Sequence, residues 1–292
     1  MSKCLPFLDQ MPPEIMGKIV GYTGNIDKLR LRKCCKYLKK IVDNSEIVFE
    51  RLFFNWKYSE KSACVRIFVR GRRGNFYIEF TKIRRNPIVN AMAALKFVEN
   101  VFKSHPKIRL VELELKVEFT TEELKRCSLH RARVMEEVSR VFSGLDNKLP
   151  VESLEIPTIR DDELLMSVLP HLAPGTLRRL ILRNSWIPDT RIDLSRAVET
   201  EQWKQAKVFD VDYLSINVEE TDHFEIMEYR VDRLEMEDVK RIVENILREN
   251  GWKRRYISAD ENNKNATIRR DGHGCKIEYY RRFPRCIKFE KI

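Results

Sequence analysis

Two short stretches near the start of the chain decide how its first fifty residues fold: MPPEI at residues 11–15 and LRLRKCCK at residues 29–36. From each stretch onward the apolar residues recur at helical spacing, so each predicts one amphipathic helix. The two apolar stripes are Ile15, Met16, Ile19 and Val20 in the first helix and Leu31, Cys35, Leu38 and Val42 in the second. Gly24 and Asn25 separate the two helices, and Asp27 is placed to cap the second one.

Residues 60 to 145 combine strand and helix patterns. Val65, Ile67 and Val69 alternate with polar neighbours, and the GRRGN turn at 71–75 is followed by FYIEF, which predicts a β-hairpin. The elements predicted after the hairpin are a helix from Ile88 to Phe102, a half-buried strand over 108–117 with Val111, Leu113, Leu115 and Val117 on one side, and a long helix from about Thr121 to Phe142.

A strand followed by a helix recurs three times after residue 150. The units are VESLEI then DDELLMSVLPHL, LRRLIL then SRAVETEQWKQAK, and VFDVDYLSI then MEDVKRIVENILREN, and short alternating runs after Trp252 predict closing hairpins. The corresponding leucines, Leu154, Leu180 and Leu214, are 26 and 34 residues apart, so the period is irregular. The sequence therefore predicts an α/β (α+β) fold: a short helical segment, then an irregular leucine-rich-repeat-like β/α solenoid with a parallel sheet and terminal hairpins.

The chain is basic, with a formal net charge of +11, and its positive charge is concentrated in residues 28–40 and 269–291. A summed positive field favours anionic partners. The first cluster has no interleaved aromatic residue beyond Tyr37, so a solvated helix face is favoured over a nucleic-acid site. We expect no nucleic-acid binding at physiological salt; the alternative, a nucleic-acid binder that uses its basic ends, predicts a steep salt dependence.

The seven cysteines are odd in number and scattered, which favours a reducing compartment, the cytoplasm and/or the nucleus. No apolar run approaches the ~18 residues of a membrane span, and the start of the chain lacks the apolar core of a secretion signal. No association with a membrane is therefore predicted.

Catalytic and metal-binding motifs are not found in the sequence. There is no Gly-rich phosphate loop, nucleophile elbow or HExxH, and the five histidines have no paired catalytic context. Cys34 and Cys35 are adjacent, which suits core thiols better than a zinc site, while His273, Cys275 and Cys286 lack a further ligand. We predict no catalytic residue, no cofactor and no metal.

Two features could contact a protein target. Nine acidic residues lie between Asn217 and Asp238, and although a solvated loop edge is the commoner interpretation, Glu219, Glu220 and Asp222 are candidate contacts for a basic target. Trp203 in EQWKQAK could anchor a partner, because Trp is enriched in binding hot spots, but packing on a repeat helix is the commoner role.

The opening helices resemble the F-box, a motif that docks on Skp-family adaptors. The matching residues are Met11, Pro12, Glu14, Ile15, Lys18, Ile19 and Tyr22, followed by Asp27, Leu29, Arg30, Leu31, Arg32, Cys34, Cys35 and Lys36. The next segment, NSEIVFERLFFNW, resembles the short linker that leads from adaptor contact to the substrate domain. The resemblance implies adaptor-binding residues as follows: Met11, Pro12, Ile15, Met16, Ile19, Leu29, Leu31, Cys34, Cys35 and Leu38.

The C-terminal half is similar to the FTH domain that accompanies F-boxes in the nematode F-box A family. The residues that carry this similarity are Pro170, Pro174, Gly175 and Leu177 in LPHLAPGTLRRLIL and Gln202, Trp203 and Lys204 in EQWKQAK. The expected domains are an F-box at 1–50, a linker and N-terminal β/α part at 51–145, and an FTH-like domain at 146–292.

Together the two resemblances imply a non-catalytic substrate receptor of a cullin-RING (SCF-type) ubiquitin ligase. The F-box would bind a Skp-family adaptor, and through it the cullin and RING subunits, while the C-terminal domain would present an unknown protein target. The mechanism would be proximity, since holding two reactants together accelerates their reaction without a catalytic residue in the receptor. The alternative is a leucine-rich-repeat-like interaction scaffold without a ubiquitin role.

Overall fold

The computed structural model describes residues 11–71, 74–83, 86–119, 123, 128–157, 162–183, 190–191, 193–212, 214–215, 223–224, 226–231, 255–260, 265–270 and 285–288. The chain divides into two compact units, one made of Met1–Glu152 and His171–Ala173 and the other of Ser153–Pro170 and Pro174–Ile292. Both units mix helices with strands, and the long-range strand pairs are mostly parallel, which confirms the predicted α/β class. No helix in the described part of the chain is long and apolar enough to span a bilayer.

The first unit begins with three helices, not the two that were predicted. They are α1 (Pro13–Tyr22), α2 (Asn25–Leu31) and α3 (Lys36–Asp43). The predicted second helix is divided because Cys35 is extended (φ −159°, ψ 167°) and starts a new helix, with its Sγ accepting a hydrogen bond from the Leu38 amide at 3.5 Å. Gly24 occupies the N-cap of α2, so the capping role predicted for Asp27 is wrong.

Four neighbouring strands of the sheet follow in the same unit. Its strands are β1 (Ile47–Lys57), β2 (Ser62–Gly71), β3 (Gly74–Ile83) and β4 (Ile108–Glu118), in the order β4-β1-β2-β3, and its helices are α4 (Pro87–Lys103) and α5 (Ser128–Ser143). β1 is parallel to β4 and antiparallel to β2, and β2 forms the predicted hairpin with β3. The predicted helix after the hairpin and the predicted strand at 108–117 are confirmed, while most of the predicted start of α5 lies outside the described residues.

Strand β1 is a correction, because NSEIVFERLFFNW was interpreted as a linker. Burial along β1 does not alternate strictly. Ile47 and Phe49 are buried at odd positions, and after Glu50 the buried residues fall at even positions: Leu52, Phe54 and Trp56. The same shift occurs at the paired level of β4, where the buried residues pass from Leu110 to Leu113 and Val111 is only half-buried. The shift hides the strand periodicity from a search for strict alternation, and it makes the predicted burial of Val111 wrong.

The second unit is built on parallel strands. Its elements, in chain order, are β5 (Val151–Ile156, of which the last four residues belong to this unit), α6 (Glu163–Met166), a 3-10 turn (Leu169–His171), β6 (Arg179–Arg183), β7 (Thr190–Arg191), α7 (Ser195–Val198), α8 (Glu201–Gln205), β8 (Val208–Asp212), β9 (Leu214–Ser215) and β10 (Ile226–Val231). β5, β6, β8 and β10 pair in that order, all parallel. Gly175, with a φ of 77°, makes the turn before β6 in the left-handed region that favours glycine.

Strand register identifies the true repeat positions. Leu154 pairs with Leu180, Leu180 with Phe209 and Phe209 with Met227, so the spacings are 26, 29 and 18 residues. The expected third leucine, Leu214, instead lies in β9, which pairs with β7. Phe209 takes its place because it is the residue that points into the core beside Leu180. The solenoid interpretation itself stays a prediction.

Three short strands close the chain: β11 (Arg255–Asp260), β12 (Asn265–Arg270) and β13 (Arg285–Lys288). β12 pairs antiparallel with β10 and β11, and β13 pairs antiparallel with β11. The strands predicted around YIS and ATIRR are therefore present. The predicted run CKIEYY, the DGHG turn and the helix over MEDVKRIVENIL lie outside the described residues.

Candidate functional site

Helices α1–α3 form a layer, here called the three-helix layer, with a core of its own. The buried core residues are Met16, Val20, Leu38, Ile41 and Val42, and Met11, Leu31, Cys35 and Tyr37 pack against them. Five predicted adaptor-binding residues, Met11, Met16, Leu31, Cys35 and Leu38, therefore contact this core. A two-helix unit could not bury its own apolar stripes, so the sequence predicts an exposed apolar patch of Ile15, Ile19, Leu31, Cys35 and Leu38. That prediction is wrong for Leu31, Cys35 and Leu38, because a third helix gives α1 a neighbour to pack against.

An adjoining side of α1 is apolar and exposed. Ile15 is 49% exposed, Ile19 39% and Tyr22 72%, and Pro12 at the N-cap is also exposed. The spacing of three, four and three residues places these four side chains along one stripe of the helix. We call Pro12, Ile15, Ile19 and Tyr22 the α1 face. Three of the six large apolar side chains that are exposed in the described part of the chain belong to it.

Two further predicted contacts lie in or after α2. Leu29 is half-buried, and Cys34 is exposed with a free thiol whose Sγ lies 3.4 Å from the Arg30 carbonyl oxygen. The interpretation of Cys34 as a core thiol is therefore wrong. Cys34 ends the turn between α2 and α3, where its side chain points away from the core that Cys35 contacts.

Hydrogen bonds attach the three-helix layer to the strands of the first unit. Asn25 Nδ2 donates to the Val48 carbonyl at 2.5 Å, and Lys28 Nζ donates to the Glu46 carbonyl at 3.0 Å. Both acceptors lie at the start of β1 or just before it. The layer and the sheet are thus joined by side chains as well as by the chain itself.

His105 forms a third attachment and is fully buried. Its Nδ1 accepts from the Lys107 amide at 3.1 Å, so Nε2 carries the proton and donates to the Val42 carbonyl at 2.9 Å. Burial lowers the pKa of His105 below its ordinary value, with Arg32 acting in the same direction and the Val42 carbonyl and Asp43 opposing it. The neutral ring therefore ties the end of α3 to the loop before β4.

A cavity of about 670 Å³ lies beside His105 in the first unit. Several of its charged groups are already engaged: Arg32 Nε contacts Asp43 at 2.5 Å, Lys103 binds Glu99, and Lys107 Nζ donates to the Asn44 carbonyl at 3.1 Å. The cavity is therefore not our candidate site.

Trp203, predicted as a possible target contact, is fully buried. Its ring packs edge-on against Phe209 and Phe224, with centroid distances of 5.0 and 5.3 Å, and Thr200 Oγ1 accepts a hydrogen bond from its amide. Its role is packing, so the target-contact prediction is wrong. Glu219, Glu220 and Asp222, the other candidate contacts, lie outside the described residues.

A charged cluster on the sheet of the second unit escaped the sequence analysis. Arg179 Nη2 and Arg183 Nη2 on β6 lie 2.9 and 3.4 Å from the same oxygen, Oδ2 of Asp210 on β8. The available signal was the spacing of the two arginines, which stand four residues apart in LRRLILR and so share one face of a strand.

Two family models match the chain. An F-box domain model matches residues 8–50 and an FTH domain model matches residues 132–269. No curated protein and no solved structure matches it. An F-box domain indicates in general a substrate-receptor role in an SCF ubiquitin ligase; such domains typically bind a Skp-family adaptor, and F-box proteins are generally non-catalytic. The α1 face lies within the first match and Trp203 and the arginines within the second: the chain is an F-box protein with a C-terminal FTH domain.

Proposed function

We propose that this chain is a substrate-receptor subunit of an SCF-type ubiquitin ligase that docks on a Skp-family adaptor through the α1 face. One observation carries the proposal: within the matched F-box, three large apolar side chains, Ile15, Ile19 and Tyr22, are exposed along one side of a helix whose other side is buried. A clustered apolar surface of this kind usually marks a protein interface.

The predicted docking residues divide into two groups under this proposal. Pro12, Ile15 and Ile19 contact the adaptor directly, together with Tyr22, which was not among the predicted contacts, and Leu29 and Cys34 extend the contact around α2. The other predicted residues support the α1 face from behind, because they fill or border the core that fixes the orientation of α1: Met11, Met16, Leu31, Cys35 and Leu38.

The proposed mechanism is proximity. The adaptor would bring the cullin and RING subunits and their ubiquitin-charged enzyme, and the remainder of this chain would hold the target near them, so that no catalytic residue is required here. Asn25, Lys28 and His105 support this role, since they fix the three-helix layer to the sheet of the first unit. We propose the cytoplasm or the nucleus as the location.

Proximity labelling in cells with the proteasome blocked tests the proposal. The chain would be fused to a labelling enzyme and compared with the double variant Ile15→Asp plus Ile19→Asp. The control is Leu129→Asp, which places the same charge on an exposed apolar residue of α5. Intact chain and control should label an adaptor and a cullin, and the double variant should not.

The same experiment separates the alternatives. If the chain is a receptor, all three chains should label its targets when the proteasome is blocked. Without the block, those targets should become more abundant only in cells that express the double variant. Equal labelling of the adaptor by the double variant would contradict the docking proposal. If labelled proteins do not change in abundance, an interaction scaffold without a ubiquitin role is the better description.

A further inference from the structure

Strand β3 is an open edge of the sheet. All ten of its residues pair with β2 in one unbroken register, from Gly71 with Gly74 to Ser62 with Ile83. Within the part of the chain that the structure describes, no strand pairs with the other side of β3. Every second residue of an edge strand turns its N–H and C=O groups outward, and β3 contains no proline that would remove such a donor. The outer side of β3 can therefore accept a further strand.

Helix α4 provides an apolar border beside this edge. Phe97 of α4 stacks on Phe80 of β3, with a centroid distance of 5.2 Å. Val89 and Ala93 lie eight and four residues before Phe97, so the three residues form one stripe of the helix. Val89 is 44% exposed, and Ala93 and Phe97 are half-buried. We call Val89, Ala93 and Phe97 the α4 border; it is about 12 Å long, enough for two alternate side chains of an extended segment, which lie about 7 Å apart.

The pair of strands β2 and β3 belongs to a third basic segment of the chain, which the sequence analysis did not single out. Residues 62–85 contain one acidic residue, Glu79, and seven basic ones: Arg66, Arg70, Arg72, Arg73, Lys82, Arg84 and Arg85. The elements packed against the pair do not offset this charge. Helix α2 is itself basic, and β1 and α4 contain one acid each, Glu50 and Glu99, of which Glu99 already bonds to three cations of α4 and α5.

This charge selects the occupant of the edge. Two copies of the chain that paired through β3 would bring two basic strand pairs together, and like charges across an interface oppose association. An acidic segment would be attracted instead. In chain order Arg72 and Arg73 directly precede β3, and Arg84 and Arg85 directly follow it. Acidic residues at the ends of an added segment therefore meet opposite charge whichever way the segment runs.

We propose that β3 binds an extended segment of the target protein as a further strand of the sheet. The segment has apolar residues at alternate positions, which face the α4 border, and acidic residues at its ends. In strand addition the main-chain hydrogen bonds provide affinity and the alternate side chains provide specificity. The inference rests on the proposed function, which requires a target, and adds the chemistry of the segment that is bound.

Peptide binding to the full chain, measured by fluorescence anisotropy, tests the inference. The probe is the fluorescent peptide Glu-Glu-Ser-Val-Thr-Val-Ser-Glu-Glu, here called the Glu peptide, and its counterpart has Gln in place of each Glu. We expect the Glu peptide to bind about tenfold more tightly than its counterpart, or better, because only the Glu peptide complements the basic ends of β3.

Two N-methylated isomers of the Glu peptide test the main-chain pairing. One isomer is methylated on the two Val amides and the other on the Thr and second Ser amides. Alternate residues of a strand turn their N–H groups to opposite sides, so each isomer blocks one side of the peptide. One isomer should lose binding and the other should keep it, whereas attraction by charge alone predicts equal binding. This comparison needs no variant of the chain.

A substitution in the α4 border tests the side-chain contacts. Val89→Glu places a negative charge on an exposed position of the border, so it should lower the affinity for the Glu peptide about tenfold or more. The matched control is Leu129→Glu, which places the same charge on an exposed apolar residue of α5 and should change the affinity little.

A second pair of variants tests the charge. Arg72→Gln plus Arg84→Gln removes one arginine from each end of β3, so it should weaken binding of the Glu peptide and reduce its salt dependence. Arg133→Gln plus Lys148→Gln removes two exposed basic residues elsewhere in the first unit and should have little effect.

Several results would overturn the inference. They are an intact chain that binds neither peptide, equal binding of the two N-methylated isomers, and full affinity in Val89→Glu or in the double arginine variant. A dimer of the chain that the Glu peptide dissociates would identify a second copy as the occupant, and tighter binding of an oligonucleotide through the same arginines would identify a nucleic acid; either would overturn the inference. Adaptor binding, measured on the same samples, distinguishes these failures from failure of the proposed function.

Discussion

Ile15 and Met16 are neighbours in the chain and both apolar, yet they lie on different sides of α1. Ile15 is 49% exposed and Met16 is 2% exposed. Successive helical positions are about 100° apart, so two neighbours can both belong to a broad apolar stripe while only one of them reaches the core. At the residue scale the stripe is therefore divided into a packed side and an exposed side.

The two sides of the stripe should differ in their effect on stability. Leu38→Ala opens a cavity in the core of the three-helix layer and should lower the free energy of unfolding by about 2–5 kcal/mol. Ile19→Ala removes a side chain that is largely exposed and should cost less than about 1 kcal/mol. Urea denaturation of both variants checks this difference, and equal losses would show that the division is wrong.

His105 should make stability depend on pH. Its folded pKa lies below the ordinary 6.5, so below pH 6.5 the unfolded chain binds more protons than the folded one. Stability is therefore lost as pH falls from 6.5 toward the folded pKa. The free energy of unfolding, measured by urea at neutral pH and at about pH 5.5, should fall less in His105→Gln than in the intact chain. An equal fall in both would exclude His105 as a cause.

The sequence predicted where the apolar residues of the F-box lie but not which of them are buried. The helical spacing identified the apolar positions of α1 and α3, and it could not tell which of them meet another helix, because that depends on the break at Cys35. The sequence could not decide whether Trp203 packs in the core or contacts a target for the same reason. An amphipathic helix shows which of its sides is apolar, but not what covers that side.

At the scale of elements, regular periodicity and turn residues in the sequence predicted the secondary structure correctly. The hairpin of β2 and β3 and helix α4 follow simple periodic patterns and were found from sequence. Strand β1 was missed because its burial shifts phase near Glu50, and the third repeat position was misplaced because a phenylalanine stands where a leucine was sought. Both errors concern which side of a strand faces the core, which only pairing with neighbours determines.

Helices α4 and α5 are held together by a charged cluster on Glu99. This carboxylate is 4% exposed and accepts from Arg140 of α5 at 3.0 Å and from Lys103 and Lys96 of α4 at 2.8 and 2.9 Å. Hydrogen bonds from Arg140, Lys103 and Lys96 hold the pKa of Glu99 far below its usual range.

Glu99→Gln should therefore destabilise the chain by about 1.5–3 kcal/mol, the range for hydrogen bonds to charged groups. The contribution is complete above the ordinary glutamate pKa of 4.5 and is lost as pH falls below it. Urea denaturation at neutral pH checks the loss. The control Glu60→Gln breaks an exposed pair with Lys57 and should cost less than about 1 kcal/mol; a loss as large as that of Glu99→Gln would contradict the argument.

At the scale of the molecule, the F-box and the first sheet belong to one compact unit. The domain boundary predicted at residue 50 lies inside β1, between its buried residues Phe49 and Leu52. β1 pairs with β4 on one side and β2 on the other, so it is a central strand. A boundary search based on composition could not detect this, because no flexible segment separates α3 from the strand.

Deleting residues 1–50 should therefore damage the first unit itself. The cut removes Ile47 and Phe49 from β1, with their pairing to Ile108 and Leu110, whereas deleting residues 1–43 keeps the whole strand. The longer deletion should lose cooperative thermal unfolding, measured by circular dichroism, more completely than the shorter one. Identical transitions in the two truncated chains would show that the start of β1 is dispensable.

The central claim is that the α1 face docks on a Skp-family adaptor, and titration calorimetry with a purified adaptor tests it most directly. The intact chain and Leu129→Asp should bind with the same dissociation constant, and Ile15→Asp plus Ile19→Asp should show no measurable binding while its unfolding temperature stays close to that of the intact chain. Binding of the double variant with unchanged affinity would contradict the account.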